Sequence, residues 1–541
     1  MDWVLGCAII TRIRRENPVR KYINGKSKRL VVYCLTHSSV DSASKFFLDN
    51  IANYCDELKM VHSFSEVELS QIKSFDEVVL AEDTFFGPIY DFGEMFNKMN
   101  MVNTSSWKIT KYSPFIAIRK PKLFKKLKFP LAYSEADSFY IQDENILGKG
   151  ATNSLLDTPV KLLRDRRCPI VSQELFTVPH SQFLVASMGE LPRLAFDYIL
   201  EKTDFDVNLI WDKILRTGNL YNIQQNLAFT SVMPRGDQTN EIAKSKTALV
   251  IHSYFPDLVE YLFNYAKSIP SYLDVYITTP NEEHAQKVRE VFSALECAKL
   301  EVRVVQNRGR SESALLVGVK DVIMDYELVC YVHDKKTNYL SADTVGESWS
   351  YRCFENILST PEYVQNVIHL FSENTRLGCL FPPPPNHADF ISTVSTMYQW
   401  GENYESTVKL AEQLGLNVNI DEDYPPVAPV GGMFWFRPKA FEKLYARNWE
   451  YADFPPEPNN SDNTLLHAIE RIYAYTAQDA GFYSSFCMTD EYAAIEQANL
   501  GYYANKLFET MYAMGIQKSM ATQQTGVIKQ MMVASKEHSY D

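Results

Sequence analysis

Four apolar runs decide the fold of this chain: ALVIH (248–252), DVYIT (274–278), LEVRVV (300–305) and LVCYVH (328–333). Each run has the length and the β-branched or aromatic content that are typical of a buried strand. The segments between them carry apolar residues at helical spacing, over 257–269, 282–294 and 313–325. Strands that alternate with helices predict a mostly parallel sheet with flanking helices.

The loops after these strands are the places where a ligand site is expected. In an open parallel sheet, ligands bind beyond the carboxyl ends of the strands. Three loops fulfil this condition, at 252–256, 306–311 and 333–337. The sequence therefore predicts a binding site at one edge of the sheet.

A second α/β pattern precedes the first along the chain. LVVYC (30–34) and EVVLA (77–81) are typical of strands, and 42–55 is typical of a helix. The stretch 234–247 is polar and rich in turn-forming residues, as linkers are. The pattern predicts an N-terminal unit over 1–235, a C-terminal unit over 245–500 and a peripheral tail over 501–541.

The composition excludes several classes of protein. With 46% apolar and 22% charged residues, the 541-residue chain is globular rather than disordered or fibrous. A net charge of −13 repels phosphate backbones, which argues against a nucleic-acid partner. The nine cysteines form no CxxC pair and are interpreted as buried thiols of a reducing compartment. No apolar stretch reaches the ~18 residues of a membrane span, so a cytoplasmic location is expected.

Two basic segments stand out from the acidic background. Residues 12–29 hold eight basic residues and one acid, and residues 119–128 hold six basic residues and no acid. Leu and Phe among lysines suit peripheral contact with an anionic membrane, here the inner face of the cell membrane. A solvated face, or a strand edge protected by lysine, explains the same pattern equally well.

The first candidate motif is Asn307-Arg308-Gly309-Arg310, directly after a predicted strand. Glycine permits a tight turn, and the two arginines offer planar donor forks that match a diphosphate. A basic surface turn would have the same sequence, so the motif alone does not decide between the two.

The second candidate motif is His333-Asp334-Lys335-Lys336, at the end of the fourth predicted strand. A carboxylate in this place could bind Mg²⁺ or Mn²⁺, which makes Asp334 the candidate metal ligand, and a lysine could neutralise a phosphate. The alternative is an ordinary solvated strand end.

A third group of candidates lies beyond residue 430. Gly431 and Gly432 precede an aromatic strand and permit close approach of a ligand to the backbone. Glu457 and Asp462 precede a helical pattern over 463–473. A carboxylate there could accept a proton in catalysis. Taken by itself, the position of Asp462 favours an N-cap of the helix.

Taken in order, these segments resemble the rhamnan synthesis protein F family. The resemblance rests on HSYFPDLVEYL (252–262), DVYITT (274–279), NRGR (307–310), YVHDKKT (331–337), TPEYVQNVIHLF (360–371), LGCLFPPPP (377–385), PVGGMFWFRPKAF (429–441) and HAIERIYAYTAQDAGFY (467–483). In the first half, FDEVVLAEDTFFGPIYDFGEMFNKM (75–99), PVKLLRDRRCPIV (159–171) and VNLIWDKILRT (207–217) also fit.

The resemblance implies a bacterial glycosyltransferase that helps to build a rhamnose-containing cell-wall polysaccharide. It implies dTDP-L-rhamnose as the nucleotide-sugar donor and a lipid-linked glycan as the acceptor. The implied fold is α/β, with two Rossmann-like, glycosyltransferase-A-type units in tandem. On this hypothesis the NRGR, HDKK and Gly431-Gly432 residues bind the donor. Asp462, or less readily Glu457, then removes the acceptor's proton in an inverting transfer.

Two departures from the family pattern leave a second hypothesis open. Ser311 and Glu312 stand where the family has an aspartate directly after NRGR, and the first unit lacks the Asn-Gly-Tyr-Asp stretch before FFGP. The first unit can therefore be a non-catalytic copy. The rival hypothesis for the whole chain is a glycan-binding or assembly protein that retains the fold without activity.

Overall fold

The computed structural model describes residues 28–36, 39–67, 69–101, 106–109, 115–119, 155–156, 158–184, 187–236, 245–336, 343–385, 400–458 and 463–513. The chain forms two compact units, one up to residue 214 together with 225–228, and one comprising 215–224 together with 229 onward. The predicted boundary at residue 235 differs from this division, because a strand at 230–233 pairs within the sheet of the second unit.

The first unit contains short strands and helices that alternate along the chain. Its strands are β1 (Arg29–Cys34), β2 (Glu57–Val61), β3 (Glu77–Glu82), β4 (Phe85–Phe86), β5 (Ser106–Lys108), β6 (Phe115–Arg119) and β7 (Val171–Ser172). Its helices are α1 (Ser42–Ile51), α2 (Leu69–Ile72), α3 (Phe92–Asn100), α4 (Pro159–Arg166), α5 (Glu174–Thr177), α6 (Ser181–Leu184) and α7 (Leu191–Lys202). Two more helices, α8 (Asn208–Thr217) and α9 (Leu220–Asn226), contribute residues to both units.

The main sheet of the first unit has the order β2-β1-β3-β6-β5. β1 pairs in parallel with β2 and β3, whereas β6 is antiparallel to both of its neighbours. Val31 and Tyr33 point into one apolar core, and Leu30 and Val32 point into another. Both faces of the central strand are therefore covered, which explains why LVVYC is apolar throughout rather than alternating.

The second unit is built around a larger sheet. Its strands are β8 (Thr230–Met233), β9 (Thr247–His252), β10 (Asp274–Thr279), β11 (Lys299–Val304), β12 (Leu328–His333), β13 (Leu377–Phe381), β14 (Phe434–Phe436) and β15 (Tyr483–Thr489). Its remaining helices are α10 (Val259–Ala266), α11 (Glu282–Phe292), α12 (Arg310–Leu316), α13 (Lys320–Ile323), α14 (Asp343–Glu355), α15 (Pro361–Glu373), α16 (Tyr404–Leu414), α17 (Glu442–Ala446), α18 (Leu465–Asp479) and α19 (Asp490–Ala513).

The sheet order is β11-β10-β9-β12-β14-β13-β15-β8. β14 is antiparallel to both neighbours, and the other pairings are parallel. The prediction of an α/β fold with mostly parallel sheets is confirmed, and the four strands that define it lie within one residue of their predicted bounds. The helix predicted over 313–325 is divided into α12 and α13.

The two sheets share a topology. In chain order and in strand direction, β2-β1-β3-β6-β5 corresponds to β10-β9-β12-β14-β13. In each set an antiparallel strand follows the third parallel strand across the sheet. This repetition is compatible with two related units, and the assignment of both to the glycosyltransferase-A type stays a prediction.

Some predictions concern segments that the structure describes only in part. Of the two basic segments, the described arginines are Arg29 and Arg119, and both pair with Glu77 inside the first unit, at 2.5 and 2.7 Å. Arg29 and Arg119 are therefore paired within the first unit and do not form a membrane-facing surface. The predicted tail boundary at 501 lies inside α19. Within the described ranges, no helix has the length and apolarity needed to cross a membrane.

The described cysteines are free thiols. All of them are buried except Cys297, which is partly exposed. Their burial agrees with the interpretation of the apolar runs LVVYC and LVCYV as core strands.

Candidate functional site

The site lies where the strand order of the second sheet reverses. From β9 the chain proceeds outward to β10 and β11, and then returns to the other side of β9 to form β12. The adjacent carboxyl ends of β9 and β12, at His252 and His333, therefore border a crevice between loops that diverge to opposite sides. Such a topological switch point is where open α/β sheets bind ligands.

Asp334 follows β12 directly and connects the ends of β9 and β12 through hydrogen bonds. Its backbone N–H donates to the carbonyl of His252 at 3.2 Å, and its Oδ2 accepts from the backbone N–H groups of Tyr254 at 2.8 Å and Phe255 at 2.7 Å. Its Oδ1 is buried and accepts no hydrogen bond from the residues that the structure describes. Burial raises the pKa of the Asp334 carboxyl to about 7, against the lowering effect of the two N–H donors. One carboxylate oxygen is fixed and the other has no donor.

His333 reaches the turn that Gly431 and Gly432 form. Its Nε2 lies 2.8 Å from the carbonyl of Gly431, and its Nδ1 lies 2.8 Å from the carbonyl of Asp334. Burial lowers the pKa of His333 to about 4, so the ring is neutral at pH 7 and donates through one nitrogen. Both glycines have positive φ, and a Cβ would stand 2.8 Å from Trp349 Nε1 at position 431 and 3.0 Å from His333 Nε2 at position 432. The two glycines are required by this packing.

Two lysines follow Asp334 and differ in their surroundings. Lys335 Nζ lies 4.4 Å from the centre of the Trp349 ring, and its ammonium donates no hydrogen bond within the described ranges. Burial lowers the pKa of Lys335, and the charge of Glu470 acts in the opposite direction. Lys336 forms an ion pair with Asp257. Within the described part of the chain, Lys335 therefore has no anionic side chain in contact.

Contacts with the backbone at 452–454 and with Glu457 fix the NRGR turn. Arg308 donates from Nε to the carbonyl of Phe454 at 2.6 Å and from a terminal nitrogen to that of Ala452 at 3.1 Å. Gly309 has φ of 85°, and a Cβ there would stand 2.6 Å from the Phe454 ring. Arg310 pairs with Glu457 at 3.1 Å. Arg308 therefore fixes the turn through the backbone at 452–454, and its predicted contact with a diphosphate stays a prediction.

Asn307 belongs to the same turn and approaches the switch point. Its Nδ2 lies 3.4 Å from the hydroxyl of Tyr254, whose backbone N–H binds Asp334. The loops after β9, β11 and β12 therefore meet at one edge of the sheet, as the sequence predicted.

Asp462 lies outside the described residues, so its predicted place beside Arg308 and Asp334 is not tested. The helix that follows it begins at Leu465, and its N-cap is Thr464. The interpretation of Asp462 as the N-cap was therefore wrong, because the helix begins two residues later than the pattern over 463–473 predicted.

Sequence reasoning missed a charged group beneath the glycine turn. Glu470 accepts the backbone N–H of Gly431 at 3.0 Å and pairs with Arg471, and Arg352 donates to the carbonyl of Val430 at 2.8 Å. Arg352 is completely buried. The signal for Glu470 and Arg471 was present as HAIER (467–471), where a helix with buried apolar positions also carries charged residues.

The described residues do not fit a divalent metal ion. They contain no group of three His, Cys, Asp or Glu side chains with metal-binding geometry. Asp334, the predicted ligand, uses Oδ2 to accept two backbone N–H groups. Mg²⁺ prefers near-octahedral oxygen ligands, commonly one or two carboxylates with phosphates and water. The prediction of Mg²⁺ or Mn²⁺ therefore gains no support from the geometry.

The equivalent position in the first unit is filled by a lysine. Asp83 follows β3, and its Oδ1 accepts from the backbone N–H of Thr36 at 3.0 Å and from the Thr36 hydroxyl at 2.6 Å. Lys213 donates from Nζ to the carbonyl of Asp83 at 2.6 Å, and its ammonium lies 3.1 Å from Asp41 Oδ2 and 3.7 Å from Asp83 Oδ2. The Lys213 side chain is 1% exposed, so this cation is enclosed by the unit itself.

Two cavities among the described residues are not lined by the strand ends of the switch point. One of about 720 Å³ lies at the amino-terminal edge of the second sheet, beside Glu327, Arg437 and Phe482. Another of about 540 Å³ lies beside Phe454 and Leu465. Neither includes Asp334 or Lys335, so the switch point is identified by its chemistry and topology rather than by cavity size.

Known proteins resemble the chain to different extents. The uncharacterized protein WxcX from two strains of Xanthomonas campestris pv. campestris is 24% identical over 249 residues, which are 45% of this chain and 33% of the relative. The match thus spans a third of the length of these relatives.

Solved structures give only distant similarity. The mannosyltransferase PcManGT from Pyrobaculum calidifontis, in complex with GDP-Man and Mn²⁺, is 10% identical, with 48% of this chain and 60% of that chain covered and a TM-score of 0.28. The glycosyltransferase GlyE of Streptococcus pneumoniae, in its apo form, is 10% identical, with 60% and 89% covered and a TM-score of 0.15. TM-scores this low carry no argument about fold or activity.

The family comparison extends along most of the sequence. The family described as Rhamnan synthesis protein F matches residues 55–128 and 139–482, and it includes the NRGR, HDKK and glycine-turn segments as well as the strands on both sides of the switch point. The chain therefore belongs to the rhamnan synthesis protein F family.

Proposed function

We propose that the chain is a glycosyltransferase of polysaccharide synthesis whose active centre is the switch point of the second unit. The observation that carries this proposal is Asp334, which holds the ends of β9 and β12 together while its buried Oδ1 has no described donor. A buried acceptor without a donor is costly for the free protein. A hydroxyl or N–H group of a bound nucleotide sugar would remove that cost.

Cationic side chains at the same edge suit the diphosphate of such a donor. Lys335 has no anionic partner in contact, and it follows Asp334 directly. As the bond from sugar to diphosphate breaks, negative charge develops on the leaving group, and a fixed cation stabilises that charge. Asn307 and the glycine turn at 431–432 border the same edge. We therefore retain the NRGR and HDKK residues as the proposed donor-binding set.

The proposed sugar and acceptor are those that the family resemblance implies. We propose dTDP-L-rhamnose as the donor and a lipid-linked glycan as the acceptor, with inversion at the anomeric carbon, as in a single displacement. Asp462, and Glu457 less readily, remain the acceptor-side carboxylates that the sequence predicts. The proposed setting is cytoplasmic, at the inner face of the cell membrane.

The first unit is proposed to be a non-catalytic copy. Lys213 occupies the position beside Asp83 that a ligand would take beside Asp334. Its ammonium is already balanced by Asp41 and Asp83. The first unit thus holds an internal cation at this position, whereas no cation from the described residues of the second unit contacts Asp334 Oδ1.

The direct test is turnover. Purified protein with dTDP-L-rhamnose and a lipid-linked glycan acceptor should release dTDP and extend the glycan. The same assay with a panel of other nucleotide sugars identifies which of them is the donor. Absence of both binding and turnover with every nucleotide sugar would leave the glycan-binding or assembly role as the better account.

A further inference from the structure

Glu312 is a buried carboxylate at the same sheet edge that the predicted donor site does not use. It lies in the first turn of α12, and the residue is 8% exposed. Its Oε2 accepts from the hydroxyl of Ser311 at 3.0 Å, and its own backbone N–H is the other donor. No cation in the described part of the chain forms an ion pair with it. Glu312 therefore carries a carboxylate that no structural contact neutralises.

Three other carboxylates that the structure describes at this edge have structural tasks. Asp334 accepts two backbone N–H groups, and Glu470 accepts the N–H of Gly431 and pairs with Arg471. Glu457 pairs with Arg310. Glu312 differs from all three, because its contacts hold neither a loop nor a strand end in place.

Glu312 lies beside the glycine turn and the imidazole of the switch point. The point where a Cβ of residue 432 would stand is 3.7 Å from Glu312 Oε1 and 3.0 Å from His333 Nε2. The carboxylate therefore lies at the same sheet edge as the proposed donor site, next to the turn at 431–432 and the end of β12.

The surroundings of Glu312 favour a proton acceptor that works near neutral pH. The titratable groups that interact with it are Glu470 and Tyr473 of α18, Arg310 of α12, Tyr331 of β12 and Lys335. Burial, and then the negative charge of Glu470, raise the pKa of Glu312 to about 7. General bases are most effective when their pKa lies near the working pH.

We propose that Glu312 accepts the proton of the acceptor hydroxyl during sugar transfer. This inference rests on the proposed function and assigns the acceptor-side step to Glu312 in place of the sequence-predicted Asp462 or Glu457. The hydroxyl proton moves to Glu312, and the hydroxyl oxygen forms a bond to the anomeric carbon. The bond from that carbon to the diphosphate oxygen breaks, and its electron pair leaves with the nucleoside diphosphate.

Glu312→Gln is the decisive variant, because it keeps the shape and the contact with Ser311 but cannot accept the proton. The matched control is Glu283→Gln, at an exposed position in the first turn of α11. With dTDP-L-rhamnose and a lipid-linked glycan, Glu312→Gln should lower kcat by roughly 10²–10⁴-fold. It should leave the Kd for dTDP within about twofold, since a general base contributes to the chemical step rather than to nucleotide binding.

The pH profile separates a catalytic role from a structural one. In the wild type, kcat/KM should rise through an ionisation near pH 7, and this limb should vanish in Glu312→Gln while Glu283→Gln retains it. If the wild type is active and Glu312→Gln keeps a third or more of its kcat while Asp462→Asn loses activity, Asp462 is the base and our inference is wrong. If the wild type binds and converts no nucleotide sugar, the proposed function itself fails, and this inference fails with it.

Discussion

Asp334 and Asp83 hold the same position in two sheets. Asp334 donates its backbone N–H to the carbonyl of His252, the last residue of β9, at 3.2 Å, and Asp83 donates to the carbonyl of Cys34, the last residue of β1, at 3.1 Å. In both cases one carboxylate oxygen accepts from the loop after that strand. The other oxygen of Asp83 faces Lys213, whereas that of Asp334 faces no described donor.

Lys213→Met should destabilise the first unit. The substitution leaves the carboxylates of Asp41 and Asp83 without their buried cation, and removing one partner of a buried ion pair costs about 3–5 kcal/mol. Urea unfolding should show this loss in the free energy of unfolding. The control is Lys45→Met, at an exposed position of α1, with an expected change within ~0.5 kcal/mol. Equal stability of the two variants would show that Lys213 is not a structural cation.

Glu312→Gln should become more stable relative to the wild type as the pH rises from about 5 to 7. The folded-state pKa of Glu312 is raised to about 7, so its contribution to stability is complete below the pKa of the unfolded chain and is lost as the pH approaches 7. The difference in unfolding free energy should grow by up to about 1.4 kcal/mol per pH unit. Glu283→Gln should give a flat difference, and a flat difference for Glu312→Gln would contradict the burial of its charge.

The buried histidines should make stability depend on pH in the direction opposite to Glu312. Burial lowers the pKa of His252 to about 3 and that of His333 to about 4, so their contribution is present above the unfolded value of about 6.5 and is lost as the pH falls. His333→Gln should therefore reduce the acid sensitivity of the protein between about pH 6.5 and 4. Unfolding measured in a pH series tests this, and an unchanged slope below pH 6 would count against a neutral His333.

Gly432→Ala should lower the free energy of unfolding more than Gly415→Ala does. Both residues have positive φ, 71° and 64°, so both substitutions carry the backbone penalty of about 1–2 kcal/mol. A Cβ at 415 meets no atom within 4 Å, whereas one at 432 stands 3.0 Å from His333 Nε2. Gly432→Ala should also reduce turnover, because the methyl group must displace His333 or the glycine turn beside Glu312. Equal effects of the two variants on stability and turnover would show that the close packing of Gly432 against His333 is unimportant.

The fold was largely predictable because its strands are continuous apolar runs. β9, β10 and β12 are buried on both faces, and such runs are recognisable without knowledge of their partners. β11 is a partly exposed edge strand, and its valines indicated it instead. β8 was not predictable, since its exposed and partly buried residues lack a pattern and its place is set by pairing with β15 across more than 200 residues of sequence. The boundary that the sequence predicted at residue 235 therefore lies on the wrong side of β8.

The candidate site was predictable in its loops but not in its chemistry. Sequence order alone placed Asp334 after a strand, because strand ends follow from the pattern. It could not show that Asp334 Oδ2 is engaged with backbone N–H groups, or that Arg308 donates to carbonyls at 452 and 454. These contacts join residues 79 or more positions apart, and only the folded chain brings them together.

Calorimetry with dTDP-L-rhamnose on matched Asp→Asn variants tests the central claim most directly. Asp334→Asn can still accept from Tyr254 and Phe255 but offers an N–H where Oδ1 was, so it should bind the donor at least about tenfold more weakly, a loss of about 1.4 kcal/mol. Asp83→Asn should bind like the wild type, at one site per chain. Wild-type affinity in Asp334→Asn, together with loss of binding in Asp83→Asn, would place the donor in the first unit and contradict the account.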